Sequence, residues 1–379
     1  MQQIDTPAES SPQINNRKES AMITVNELTD ISPIYPLEKL GPKETLLFFD
    51  IETTGLSPAS SFVYLIGVLF YQDNSWKTTQ WLSQSPGDES DLLTAFTEFA
   101  QNYRVLIHFN GDAFDIPFVK KRCLSQALDC HCLPESLDLY KRLRPLKKML
   151  GLSKMNLKSL ERYLGIARED ELSGKELIPL YFNYTKNRDL AIGKLLLLHN
   201  RDDLAGTLNL VGLLSYTDFL LGGFTVEDQQ TGEGMDGSFE AVFSLKLAQP
   251  LPQRISCPLP HGYLTARDTG CRILLKGISG TLKYFFSDYR SYYYLPVEDT
   301  AMHKSVAAYV DKSHRVQAKA STCYCKKTGL FLPCPSLTSQ PLFYLDYGSN
   351  PAYLECSPAF LDDAAALHDY LTGYLNESC

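Results

Sequence analysis

At 379 residues the chain is too long for one ordinary domain and long enough for two. Hydrophobic residues make up 44% and charged residues 21%, a globular profile that excludes an intrinsically disordered chain. The net charge of -8 excludes a uniformly basic nucleic-acid binder, so any grip on phosphates must rest on local patches.

Residues 1–25 are polar and are expected to form a disordered tail, with no apolar core that could serve as a secretory signal. The longest apolar run, residues 62–71, is about half of what a bilayer needs. A cytoplasmic protein without membrane contact is therefore expected, its ten cysteines reduced. Ordered structure is expected from about Ile34 to Leu40 onward. Residues 45–51 (TLLFFDI) read as a strand, 62–71 (FVYLIGVLFY) as a second and 77–82 as a third, after a turn at Asp73 and Asn74. Asp88 or Ser90 then caps a helix over 91–102, whose Leu92, Leu93, Phe96 and Phe99 share a face. Residues 104–109 (RVLIHF) form a fourth strand, and 116–128 another helix. A long helix over 189–214 closes the expected first domain, residues 26–222. Residues 228–238 (DQQTGEGMDGS) read as a Gly-rich loop at the boundary. Beyond it, short segments over 240–247, 262–266, 272–275 and 281–286 mark a smaller β-rich C-terminal domain, residues 223–379. Ser357 and Pro358 open a last helix.

Three segments carry chemistry. Asp50 and Glu52 lie two apart at the end of a strand, so they project from one face. Such neighbouring carboxylates repel unless a cation sits between them, and hard oxygen donors suit Mg²⁺ or Mn²⁺. Taken alone, an Asp-x-Glu is more often a solvated strand end. Asn110-Gly111-Asp112-Ala113-Phe114-Asp115 follows an apolar strand; Phe114 can anchor the turn, while Asp115 either caps the next helix or faces the acids. His199 and Asp203, four apart in the long helix, look the same way, and a histidine is well placed to take a proton from water. A surface pair is the alternative. Asp202 is expected to point elsewhere, into solvent.

In this order and strand-helix context the three segments resemble the exonuclease motifs of the DEDD superfamily, on a mixed α/β sheet of ribonuclease H-like type with flanking helices. Residues 48–56 (FFDIETTGL) match that family's first motif closely. In detail the chain is similar to the YprB-type branch of bacterial ribonuclease H-like proteins, with a Leu-Lys-Ser-Leu-Glu helix at 157–161 and an Asp-x-x-Ser-Gly segment at 170–174. The resemblance spans about residues 40–214. It implies a two-metal 3′–5′ exonuclease acting on single-stranded or end-frayed DNA or RNA, with two divalent cations, Mg²⁺ or Mn²⁺. Asp50 would bridge both ions, Glu52 and Asp203 join it on the first, Asp115 serve the second, and His199 act as general base. One departure matters: the tyrosine subclass has Tyr four residues before the last Asp, and the histidine subclass has His five before it. Here His stands at the tyrosine spacing.

Thr53, Asn110 and Phe114 within the motifs, with Lys147 and Lys148, are the expected nucleic-acid contacts. The two lysines belong to a stretch from Lys141 to Lys158 that holds no acid. A second aromatic and basic stretch, 283–294 (KYFFSDYRSYYY), could stack bases, though such aromatics are more often core. Cys130-His131-Cys132, with Cys123 upstream, lacks the paired spacing of zinc sites, and Cys323, Cys325 and Cys334 with Cys356 come closer to it; both groups read as buried reduced thiols. Two rival functions stay open: a structure-specific endonuclease on the same site, and a catalytically idle nucleic-acid-binding adaptor.

Overall fold

The computed structural model describes residues 22–128, 133–170, 172–334 and 340–378. Most of the expected tail, Cys130-His131-Cys132 and Glu171 of the 170–174 segment lie outside these residues. The chain divides into two compact units, the first built from residues up to Asp30, Leu40–Leu137 and Arg168–Ala205, the second from Ile31–Lys39, Asp138–Ala167 and the residues from Gly206 on.

In chain order the first unit begins with strands β1 (Ile23–Thr29), β2 (Leu46–Thr53), β3 (Val63–Gln72) and β4 (Ser75–Leu82). Helix α1 (Glu89–Ala100), strand β5 (Val105–His108), helix α2 (Asp115–Ser125) and strand β6 (Glu135–Asp138) follow. The second unit supplies α3 (Leu139–Leu143) and α4 (Leu157–Leu164), after which the first resumes with α5 (Gly174–Asn187) and most of α6 (Leu190–Leu210). The six strands form one sheet in the order β1-β4-β3-β2-β5-β6. β2 runs antiparallel to β3 but parallel to β5, so the sheet is mixed, as the fold class led us to expect. Asp73 and Asn74 both take left-handed backbone angles (φ 52° and 60°), which lets two residues reverse the chain between β3 and β4.

Alternation along β2 decides where the cores sit. Leu47, Phe49 and Ile51 pack with Ile66, Val68, Leu92, Phe96, Phe118 and Val119 on the side of α1 and α2. On the other side Tyr64 and Leu65 pack with Leu177, Tyr181 and Leu196 of α5 and α6. Glu89, itself buried, takes the guanidinium of Arg122 (2.5 and 2.8 Å) and the Val63 amide (2.9 Å), tying α1, α2 and β3 together.

β1 lies ahead of the point where ordered structure was expected. It is a mostly exposed edge strand, so the apolar alternation that betrays a half-buried strand is missing from it. The expected helix cap near Asp88 is also built differently. Asp88 accepts the Ser85 amide (2.7 Å) in a capping box on the short turn Pro86–Asp88 that precedes α1.

The second unit continues with α7 (Leu214–Leu220) and with β7 (Phe224–Glu233), β8 (Phe239–Leu259) and β9 (Gly262–Phe285). The boundary loop expected over 228–238 is thus strand up to Glu233 and a tight turn beyond it. From Glu227 on β7 carries no apolar side chain, and composition alone reads that part as loop. The short segments expected after 240 merge into β8 and β9, of 21 and 24 residues; register shifts after Lys246 and Leu251 break the apolar alternation into pieces. Then come β10 (Tyr292–Leu295), β11 (Thr300–His303), α8 (Lys304–Ala307), β12 (Val316–Gln317), β13 (Tyr324–Cys334), β14 (Leu342–Phe343) and β15 (Ala352–Glu355). They form a sheet β14-β15-β13-β9-β8-β7 and a small one, β11-β10-β12. Ser357 caps α9 (Pro358–Asp362) through the Phe360 amide, as expected, but the helix stops at Asp363 and α10 (Ala364–Ser378) starts anew.

Candidate active site

On β2 the residues that alternate with the Leu47–Phe49–Ile51 face are Asp50 and Glu52, paired in register with Gly67 and Leu65 of β3. Gly67 is there because α6 comes close: a Cβ would overlap the Asn200 amide and lie 2.8 Å from Leu204 Cδ1. Asn200, fully buried, donates from Nδ2 to Asp50 Oδ2 at 2.8 Å. Its orientation is fixed from behind. Gln80 Nε2 donates to Asn200 Oδ1 (2.8 Å) and to the Leu197 carbonyl (2.9 Å), so the Asn200 NH2 has to face the acid.

Asp115 is the first residue of α2, and the cap position belongs to Phe114, which makes no side-chain capping bond. Asp115 is not the cap; it is buried, and near enough to Asp50 and Glu52 for its charge to help raise both carboxyls. The turn that delivers it is pinned by a buried histidine. His108 Nδ1 accepts the Gly111 amide (3.0 Å), so its hydrogen sits on Nε2, which donates to Ser136 Oγ at 2.8 Å. Ser136 in turn donates to Asp112. Asn110 stands at φ 64°, and a Cβ on Gly111 would come within 2.7 Å of the His108 ring.

From α6, His199 Nε2 lies 3.4 Å from Glu52 Oε1 and 3.8 Å from Asp203 Oδ2. Glu52, His199 and Asp203 each offer one donor atom, all within 4.8 Å of one another, a spacing that could hold a divalent cation. Two residues that sequence reasoning did not assign complete the cluster. Arg168 bonds Asp203, and its NH2 group is 3.6 Å from Asp170 Oδ2. Asp170 Oδ2 meets His199 Nδ1 at 2.6 Å. Asp202 does not simply point into solvent: its Oδ2 accepts the amides of Glu169 (3.0 Å) and Asp170 (2.9 Å) and holds that loop to the helix. The 170–174 segment was visible in the sequence, but nothing in a linear string marks His199 as its partner.

Burial pushes the Asp50 carboxyl well above the usual range, and the charges of Asp203, Glu52 and Asp115 add to it. Glu52 is raised as well, by burial first and then by Asp203, Asp115 and Asp170, with Arg168 opposing. A cluster that resists ionisation in this way calls for positive charge.

The remaining sequence candidates sit as follows. Thr53 Oγ1 donates to the Gly55 carbonyl (2.9 Å), Asn110 is exposed, and Phe114 is half-buried against Phe118. Lys147 and Lys148 belong to the second unit; Lys147 is exposed, while Lys148 Nζ donates to the Ser378 carbonyl at 3.1 Å. In the 283–294 stretch Phe286 stacks on Tyr292 at 4.6 Å, and Lys304 and Arg315 each lie over the Tyr293 ring, at 5.3 and 4.9 Å. Cys323, Cys325 and Cys356 are free thiols, Cys334 is buried, and burial holds Cys356 up at about 11.

Residues 47–215 match the family model of the RNase_H superfamily. This part of the chain has a ribonuclease H-like fold. Over 172 residues the chain is 32% identical to the uncharacterized protein YprB of Bacillus subtilis (strain 168), covering 44% of this chain and 41% of that protein. The chain thus spans less than half the length of the curated relative it matches. Solved structures to which the chain is similar include the family B DNA polymerase of Pyrobaculum calidifontis (TM-score 0.38, 19% identity, 47% of this chain and 25% of that one). Another is E. coli exonuclease I in complex with a dT13 oligonucleotide (TM-score 0.31, 12% identity, 53% and 54%).

Proposed function

We propose that the ribonuclease H-like part hydrolyses nucleic-acid phosphodiesters with two divalent cations, Mg²⁺ or Mn²⁺, trimming single-stranded or end-frayed DNA or RNA from the 3′ end. The observation that supports this reading is the approach of Asp50, Glu52, Asp115 and Asp203, from three remote segments, to one another in an acidic cluster, with Glu52 and Asp115 buried and Asp50 and Asp203 half-buried. The donor set is rich in hard oxygens and fits the cations named. Asp50 would be shared between the two ions, Glu52 and Asp203 would hold the first, and Asp115 the second. Bound there, the ions would acidify the attacking water and steady charge on the leaving oxygen. His199 Nε2 stands ready to accept that water's proton. Thr53, Asn110 and Phe114 adjoin the acids in the chain and would meet the strand; Lys147 is a candidate phosphate contact, whereas Lys148 already serves the Ser378 carbonyl.

The test is a labelled single strand incubated with the full chain in Mg²⁺ or Mn²⁺. Shortening from the 3′ end is expected, and Asp50→Ala should abolish it while circular dichroism stays unchanged. Cutting of a circular strand would reject the exonuclease reading in favour of an endonuclease on the same acids. Calorimetry that finds no divalent-ion binding would overturn the enzyme altogether and leave a nucleic-acid-binding adaptor.

A further inference from the structure

The two nitrogens of His199 face different company. Nδ1 meets Asp170 Oδ2 at 2.6 Å, and both side chains are buried. Nε2 looks toward Glu52 and Asp203. An ionised carboxylate only accepts hydrogen bonds, so the hydrogen in the short contact belongs to Nδ1. With a hydrogen on Nδ1, a neutral ring keeps its lone pair on Nε2, the nitrogen that faces the acids. We infer that Asp170 is a positioning residue: it fixes His199 in the Nδ1–H tautomer and aims the Nε2 lone pair at the acidic cluster. This inference rests on the nuclease reading for its purpose, and on the geometry alone for the tautomer.

Asp170 is itself held on several sides. Its Oδ1 accepts the Leu172 amide at 3.0 Å, which leaves Oδ2 for the imidazole. Its own amide and that of Glu169 donate to Asp202, one residue before Asp203 on α6. Arg168, at the start of the same loop, bonds Asp203. The loop is therefore laced to α6 beside His199, and the carboxylate has little freedom to turn. In this ring the outer nitrogen faces the acids while the inner one is engaged from behind. Asp170 supplies that engagement, much as a buried carboxylate orients the imidazole in other general-base pairs.

The decisive variant is Asp170→Asn. The Leu172 amide still needs an acceptor at the Oδ1 position, so the new NH2 group must replace Oδ2 and donate to Nδ1. That drives the ring hydrogen to Nε2 without changing the size of residue 170. The full chain, with 15N-labelled histidine and Mg²⁺, is examined by NMR, and the His199 ring is identified among the seven histidines by its loss in His199→Gln. We expect the Nδ1–H pattern in the wild type and the Nε2–H pattern in Asp170→Asn. Hydrolysis should fall in kcat by about 10²- to 10⁴-fold, with the KM for the oligonucleotide and calorimetric Mg²⁺ binding nearly unchanged. Asp170→Glu, which keeps an acceptor-only group, should retain the Nδ1–H pattern. An Nε2–H pattern in the wild type overturns the inference, even if the variant fails to fold. An unaltered tautomer in a folded Asp170→Asn chain, or an unaltered kcat beside an inverted tautomer, overturns it too. In a chain that binds Mg²⁺ and cuts nothing, the NMR pattern still decides the tautomer, so failure of the nuclease reading is seen separately.

Discussion

Asp50 and Glu52 sit where water is scarce and other acids are close, and their raised carboxyls record the cost. Between the ordinary carboxylate range and those raised values, the folded chain binds more protons than the unfolded one. Stability therefore falls as pH rises through that window. In EDTA the melting temperature should decline from mildly acidic to neutral pH, and Mg²⁺ should flatten the decline. Asp50→Asn removes one of the competing charges yet keeps a side chain of the same size. In EDTA at neutral pH it should melt higher than the wild type, by roughly 2–4 °C for each kcal/mol recovered, while losing hydrolysis. A melting temperature below that of the wild type would show that Asp50 is not strained by its neighbours. At this scale the acids were legible because each stands in a local pattern: two apart on a strand, first in a helix, one helical turn beyond a histidine. Arg168, Asp170, Asn200 and Gln80 were not. Their roles depend on partners met only through the fold, such as Gln80 reaching across 120 positions to Asn200.

Among the elements, the approach of α6 to β3 governs the site, since it places Asn200 on Asp50 and His199 beside Glu52. Gly67 is what permits the approach. Gly67→Ala should push the helix outward, cost about 1–3 kcal/mol in urea unfolding and reduce hydrolysis more than a surface substitution of equal cost. Unchanged stability would mean that the helix can shift freely. The central strands and α1 were readable from their apolar period. β1 and β7 were not, because both are largely solvated and paired through their backbones, so the side chains carry little of the signal. β8 and β9 were readable only in fragments, since their register shifts put apolar residues out of step. The last helix was found at its start, where Ser357 and Pro358 leave a local mark, but not at its interruption.

At the scale of the molecule, a mixed α/β sheet followed by a β-rich part was visible from the order of elements. That each compact unit draws on separate stretches of chain was not, since it depends on contacts between stretches far apart in the sequence. One feature of the second unit bears on how the protein comes to be folded at all. β8 and β9 meet across Pro260 and His261, and their rungs run from Leu259 with Gly262 out to Phe239 with Gly277. Each rung follows the last with only a few residues of extra chain to close, so the ribbon can zip outward from its tip with a small entropic penalty per step. In pulse-labelled hydrogen exchange during refolding, amides near the Leu259 end should gain protection before those of β13, which joins β9 from farther along the chain. The hairpin would then be a template already standing when the later strands arrive, and a chain emerging from the ribosome could complete it before β13 has emerged.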